Sequence, residues 1–398
     1  MMHIRSTRFL FAGTALWLAA SPAFALDGND LVKKLTAGFN LQEGDIAVGS
    51  IDVNGSTVTL KGMSVGKAGA TPDARVKLGD VTLNGVEEDD AGGYTIEKAS
   101  FQDINLTEDK TTLTAKDMYL TGLYIPGDVN GDTIDSLLTY EEGHSGPMTV
   151  SVEGKQVLGI RETSFSMERT EDDSTLSFDG TIDGVSVDLT TIDDPKSKET
   201  IESLGLTKID GNISMVGSWE IDSGTISMTE YAFDFANIGR LNIEASVSGY
   251  TMQFLKSLRE TTKAMEQTEN KEAAQQAAGL AMLGLLQQLS FNSAKISFDD
   301  DGITKRSLNY AGKTQGVSGE QMAMMLKGMA PLMMAQLNMP ALQNSVSAAI
   351  NTFLNNPRNF TIAAEPKAPV PLPMIIGAAQ AAPNTLPDML GVSVAANR

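Results

Sequence analysis

Apolar residues recur along the first third of the chain at i, i+2, i+5 and i+7. Ile46, Val48, Ile51 and Val53 form the first set, and Val58, Leu60, Met63 and Val65 the second. Val76, Leu78, Val81 and Leu83 follow, then Tyr94, Ile96, Ala99 and Phe101, continued by Ile104 and Leu106. The fifth set is Leu113, Ala115, Met118 and Leu120, continued by Leu123 and Ile125. The last four sets start 18, 18 and 19 residues apart, which is a supersecondary period. Residues i and i+2 share one face of a strand, whereas a step of three moves the next pair to the other face. Polar pairs at the switches, such as Gly49-Ser50, Lys61-Gly62 and Gly79-Asp80, let the backbone bulge and keep both apolar pairs on one interior. The pattern predicts a curved sheet of bent strands, apolar on its concave side. A meandering antiparallel sheet and a β-solenoid with five-residue sides share that signature. The polar interruption from Glu87 to Gly93 and the large inward residues favour the meander.

Strand patterns continue to about residue 250. Leu176, Phe178, Ile182, Val185, Val187 and Leu189 read as one hairpin, turning at Asp179-Gly180 or Asp183-Gly184. Apolar positions from Ile213 to Phe235 follow, with a turn at Asp222-Ser223-Gly224, and Leu241, Ile243 and Val247 close the series. From Gln253 to Leu289 the composition becomes helical and contains no proline. A hairpin is expected from Phe291 to Tyr310, across Asp299-Asp300-Asp301-Gly302. A second helical region starts after Ser318, supported by Glu320. It holds seven of the chain's 20 methionines, among them Met325 and Met329, and Pro331 and Pro340 should kink or divide it. Phe360 to Ile362 reads as a strand, Pro366 to Pro373 as a proline-rich stretch, and Leu390 to Ala395 as a last strand. The predicted fold class is mainly β with an α+β character: a long curved antiparallel sheet and two helical segments in the C-terminal part. The expected units are a secretory signal at 1–25, a sheet region at 26–250, and a helix–hairpin–helix region at 251–398 that completes the same or an adjoining domain.

Arg5 and Arg8 precede an apolar run from Phe9 to Ala20, and Ala23-Phe24-Ala25 follows Pro22. This is the three-part pattern of a signal peptide cleaved after Ala25, and its apolar run is short for a membrane span. Removing its two arginines from the 30 basic residues leaves 28 against 50 acidic ones. So acidic a chain repels phosphate and should bind no nucleic acid. The absence of cysteine excludes disulfides, thiolate metal sites and cysteine nucleophiles, and suits an exported bacterial protein of the periplasm. His3 and His144 are the only histidines, so a multi-histidine metal site is excluded too.

Two short motifs carry candidate chemistry. Gly62-Met63-Ser64-Val65-Gly66 matches the G-x-S-x-G elbow of hydrolases, with His144 as the available base. That elbow needs a helix after the serine, yet a loop from Lys67 to Pro72 follows, and the repeat already explains Met63 and Val65 as strand positions. Asp128, Asn130 and Asp132 resemble the opening of a calcium loop, but Thr133 and Thr139 stand where glycine and a carboxylate belong. An Asn/Asp/Gly turn after Pro126 is the preferred account of that segment. The acidic runs Glu87-Glu88-Asp89-Asp90 and Asp299-Asp300-Asp301 read as solvated turns. The methionines suit either core packing or a surface that accepts varied apolar ligands.

The signal segment, bent-strand repeats such as Val76-Lys77-Leu78-Gly79-Asp80-Val81-Thr82-Leu83, and the later alternation with helices together resemble the AsmA-like envelope proteins. That group is related to bridge-like lipid-transfer proteins, and the resemblance implies a curved sheet whose apolar groove carries lipid. It spans roughly residues 27–310 and rests on no invariant motif. Absence of a clear membrane anchor and the Met-rich helices depart from it, so the comparison reaches to a small envelope-associated relative. The reading is a non-enzymatic periplasmic protein of envelope maintenance that binds lipid or a lipid-bearing partner, with peripheral membrane association and no cofactor. Its groove would be lined by Leu78, Val81, Ile96, Phe101, Met118, Leu120, Met325 and Met329. The alternatives are an envelope scaffold with a closed core and a serine hydrolase using Ser64.

Overall fold

A computed structural model describes residues 26–267, 271–336 and 339–398. The expected signal segment lies outside the described residues. The chain folds mainly into one long, curved, open antiparallel sheet. Its N-terminal part comprises α1 (Gly28–Gly38), β1 (Ile46–Ala47), β2 (Ser50–Asn54), β3 (Thr57–Val65), β4 (Val76–Glu88), β5 (Tyr94–Phe101), β6 (Ile104–Glu108), β7 (Thr111–Ala115) and β8 (Tyr119–Ile125). β9 (Glu142–Ser145), β10 (Met148–Val152), β11 (Lys155–Ile160), β12 (Glu162–Arg169) and β13 (Thr175–Asp188) continue it. After α2 (Pro195–Leu204) come β14 (Lys208–Glu220), β15 (Thr225–Phe235) and β16 (Gly239–Ser248). A helical pair, α3 (Met252–Gln267) and α4 (Lys271–Leu286), leads to β17 (Ser290–Asp300). Three helices, α5 (Ile303–Gln315), α6 (Gly319–Gln336) and α7 (Pro340–Asn355), precede β18 (Asn359–Ala364). The chain closes with β19 (Val370–Pro371), α8 (Leu372–Ala381), α9 (Leu386–Met389) and β20 (Val392–Ala396).

The sheet is a meander, as the repeat predicts. β3 pairs with β4, β4 with β5, β5 with β8, β8 with β9, β9 with β12, and β12 with β13. From β13 each strand pairs with its successor up to β18, and β20 adds the last edge. β6, β7, β10 and β11 form the outer arms of the same bent strands, pairing β6–β7, β7–β10 and β10–β11. The switches do bulge: the β3–β4 register shifts between Leu60 and Met63, where Gly62 takes φ +62° and Gly79 φ +74°. A positive φ is cheap only for glycine, and the Gly62 N–H donates to Asp80 Oδ1 at 2.9 Å, which holds the bend. Val58, Leu60, Met63, Val81, Leu83, Ile96 and Ala99 are all buried on one interior, while Lys61, Lys77, Glu97 and Lys98 are exposed. Val53, Val76 and Leu106 are exposed and depart from the pattern.

Three local readings are corrected. The segment from Leu176 to Leu189 is no hairpin: β13 runs through it, absorbing Asp183-Gly184 as a bulge with Gly184 at φ +61°. The expected hairpin from Phe291 to Tyr310 has only its first arm. The Asp300 carboxylate accepts hydrogen bonds from the Gly302 N–H at 2.9 Å and the Thr304 N–H at 2.8 Å, and this starts α5 where a second strand was expected. At the start of α6, Gln321 and not Glu320 completes the cap: Gln321 N–H donates to Ser318 Oγ, and Gln321 Oε1 accepts from Ser318 N–H. Pro331 sits inside α6, and Pro340 starts α7.

The core is concentrated at the N-terminal end. Asp27 caps α1 by accepting from the N–H groups of Asn29 and Asp30, and Leu31 and Leu35 stand one turn apart on its inner face. Both are buried against Val58, Leu60, Val81, Val86, Ile96 and Ile125, so α1 covers the apolar face of β3–β8.

Candidate functional site: an apolar face between two cavities

Cross-strand register shows how far this face extends. Val58, Leu83, Ala99, Leu120, Gly143, Phe165, Gly180, Met215 and Tyr231 stand opposite one another in sequence from β3 to β15. Two residues along β13 begins a second row: Ile182, Ile213, Phe233, Leu241, Phe298, Phe360 and Ala396. Positions i and i+2 share a face, so both rows belong to one apolar surface reaching β20. Aromatic rings lie across facing glycines: a Cβ on Gly180 would come within 2.4 Å of the Phe165 ring. The reverse face is polar. Ser218, Ser227, Ser246 and Ser293 form a row there, Lys295 pairs with Glu244 at 2.9 Å, and Arg240 pairs with Glu230 at 3.0 Å.

Under α1 this surface encloses a cavity of about 290 Å³ whose lining residues are all apolar. Leu78, Val81, Phe101 and Leu120, four of the positions the repeat singles out, line it. Leu35 and Phe39, at the C-terminal end of α1, close it from the other side and were not anticipated. The helix is clamped by charge at its N-terminal end: Tyr94 OH donates to Asp30 Oδ2 at 2.9 Å, Lys34 pairs with the same carboxylate, and the Lys34 ammonium lies 5.0 Å from the Tyr94 ring centre. Burial, opposed and outweighed by hydrogen bonds from Lys34 and Tyr94, leaves the Asp30 carboxyl below its ordinary range. Burial and the Asp30 carboxylate push the Tyr94 phenol far above its own.

A second cavity, of about 510 Å³, lies at the far end of the strand ladder between α6, α7 and β18. Met329, Met333, Ile350, Phe353 and Phe360 are among its wholly apolar lining. The Phe353 and Phe360 rings meet edge to face at 5.6 Å, which seats α7 on the apolar surface of the sheet. Between the cavities the surface is only partly covered: Phe165, Met215, Phe233 and Leu241 are half-buried and Tyr231 is 38% exposed. Beside the second cavity Ile296 and Ile362, opposite each other on β17 and β18, are 46% and 43% exposed. A family model described only as an uncharacterized protein matches residues 232–397, which hold the second cavity and the last strands of the ladder. No curated protein matches the chain.

The remaining candidates are dispersed. Ile96 is sealed in the core and lines neither cavity. Met118 is half-buried beside the first cavity, where its carbonyl accepts from the Phe101 N–H at 3.0 Å. Met325 is exposed on α6, whereas Met329 both lines the second cavity and reaches solvent. Ser64 Oγ accepts from Arg75 Nε at 3.1 Å. His144, stacked on Tyr119 at 4.8 Å, lies on β9, four strands from β3, or about 19 Å at ~4.8 Å per strand. The structure therefore does not bring Ser64 and His144 together. In the proposed calcium loop, Asp128 Oδ1 accepts from the Asn130 backbone and side-chain N–H groups, and Asp132 pairs with Lys256 of α3 at 2.9 Å. Those contacts fix the loop against α3 and engage two of its three oxygen donors. Among the described residues, no group of three or more His, Cys, Asp or Glu could hold a metal. Among them also, no helix is long and apolar enough to cross a membrane.

Sequence periodicity found the β4–β5 half of the first cavity because its residues repeat. It missed Leu35 and Phe39, although the signal was present: Asp27 as a cap, then Leu31 and Leu35 one turn apart. Phe353 and Phe360 had no comparable signal, because only the return of α7 over β18 makes them neighbours.

Proposed function

We propose that the protein holds the hydrocarbon part of a lipid, or of a lipid-bearing partner, against the apolar face of its sheet, and acts without catalysis in maintaining a bacterial envelope. The observation that carries this reading is the in-register apolar surface, only partly covered, that runs from one apolar cavity to the other. Ligand sites are typically concave and mostly apolar, with volumes of roughly 300–1,000 Å³, and the two cavities stand at the lower edge and within that range. Burial contributes about 0.8 kcal/mol per CH2, so six seated methylenes supply roughly 5 kcal/mol before the cost of ordering the chain. With no polar side chain in either lining, selection would rest on shape and length, and headgroups would remain in water. The resemblance to AsmA-like envelope proteins points to the same ligand class, and the signal-like N-terminus to a periplasmic location.

The test is to purify the protein from the periplasm of cells expressing the full-length chain, extract it with organic solvent and identify bound lipids by mass spectrometry. Lipid in near-stoichiometric amount, on a protein whose first residue is Leu26, is the expected result. A ligand-free protein that also fails to take up cis-parinaric acid would overturn the reading. In that event the scaffold reading gains, since α1 already seals the N-terminal part of the face into an ordinary core.

A further inference from the structure

Three runs of the C-terminal part, 273–294, 328–357 and 368–387, contain no charged residue, in a chain of which 20% is charged. They include the C-terminal halves of α4 and α6, and all of α7 and α8. These helices do not bury what they carry. Leu332 on α6 is 67% exposed, and Leu280 on α4 and Met374 on α8 are exposed as well. Met324, one turn before the uncharged part of α6 and flanked by Glu320 and Lys327, is 61% exposed. The segments converge on one end of the sheet: Leu372 N–H, at the start of α8, donates to Leu289 O just after α4, and α7 packs on both α6 and α9.

We propose that this charge-poor helical surface docks on an electrically neutral lipid bilayer, with the second cavity opening into the layer it touches. A partner protein would need hydrogen-bonding groups within the contact to fix its register. Although α7 carries Gln, Asn and Ser, the exposed side chains of α6 at Met325, Met329, Leu332 and Met333 offer none. Two copies would bring together two chains of net charge -20 each. Surface-lying helices that select anionic membranes carry lysine and arginine on their polar side, and here α6 has a single lysine, Lys327, offset by Glu320. The acidic remainder of the molecule repels an anionic bilayer and leaves a zwitterionic one unaffected. No described helix is long and apolar enough to cross a bilayer, so in this docking the helices lie on its surface. Leu326, Met329 and Met333 are exposed on α6 and also line the second cavity, so an acyl chain could enter without crossing water. That last step rests on the lipid-holding reading, whereas the docking does not.

Flotation of the full mature protein with vesicles tests the docking. It should float with phosphatidylcholine vesicles, and less well at low salt once phosphatidylglycerol is added, a loss that added salt reverses. The double variant Met324→Glu, Leu332→Glu changes two outward side chains that line neither cavity. It should reduce partition to phosphatidylcholine at least tenfold while leaving uptake of cis-parinaric acid and thermal melting unchanged. Equal flotation of wild type and variant would overturn the proposal. So would stronger binding to the anionic vesicles, a wild type that does not float, or a dimer that the variant splits. Flotation without any uptake of cis-parinaric acid would leave the docking standing and remove the lipid-holding reading.

Discussion

Phe101→Ala and Ile96→Ala, five residues apart on β5, separate an open cavity from a sealed core. Ile96 is 1% exposed inside the packed cluster and lines no cavity. Its truncation loses transfer free energy and leaves a new void; about 2 kcal/mol of transfer, plus ~1.2 kcal/mol for a residual void of ~50 Å³, gives roughly 3 kcal/mol. Phe101 is half-buried and faces the cavity of about 290 Å³, so one side of its ring has no packing partner. Removing it enlarges space that is already open, and only the transfer part remains, about 1.5–2 kcal/mol. The larger side chain should therefore cost less, the reverse of the usual order, in which a sealed Phe→Ala costs ~3–5 kcal/mol. Urea unfolding followed by circular dichroism reads both, as midpoint shifts at constant slope. Saturating fatty acid at about 100 times its Kd should add ~2.7 kcal/mol to wild type. That gain should be smaller for Phe101→Ala and intact for Ile96→Ala. A Phe101→Ala cost above that of Ile96→Ala, with no stabilisation by fatty acid, would refute the cavity as a binding site.

Tyr94→Phe removes the hydroxyl that donates to Asp30 and should cost about 1 kcal/mol at neutral pH, since the carboxylate is partly exposed. Asp30 has a lowered pKa in the folded state, so its contribution is present above the ordinary value of 3.8 and lost as pH falls through the folded value. The difference between the two proteins should therefore shrink below about pH 4. Tyr94 is raised, so its contribution is full below 10.0 and lost as pH climbs above it, a loss that Tyr94→Phe should not show. Gly62→Ala meets no atom within 4 Å, so its cost is the left-handed backbone alone, about 1–2 kcal/mol, and Gly62→Asn should recover part of it. Ser64→Ala loses one hydrogen bond from Arg75, worth about 1 kcal/mol, and fluorophosphonate probes should label neither wild type nor variant. Wild-type labelling that vanishes in Ser64→Ala would reinstate a hydrolase.

What the sequence determined by itself is local and periodic. The step from two to three in the apolar spacing, with glycine at Gly62 and Gly79, sets the bent strands and the face they bury, because only a bulge keeps both pairs inside. Composition located α3, α4 and α6, and an Asp-Ser-Gly turn located the β14–β15 hairpin. Short-range signals misled where two outcomes share one composition. Asp183-Gly184 is as good a bulge as a turn, and Asp300 caps a helix as readily as it turns a hairpin. Tertiary structure alone decided that α1 folds back over β3–β8, which turns half of the predicted groove into sealed core and leaves one cavity beside Phe39. It also decided that α7 returns over β18, bringing Phe353 to Phe360 and creating the second cavity. The α1 contacts join residues far apart in the chain, and the Phe353–Phe360 contact depends on how the chain turns between α7 and β18. Burying apolar area is non-directional, so no local pattern records which helix covers which strand.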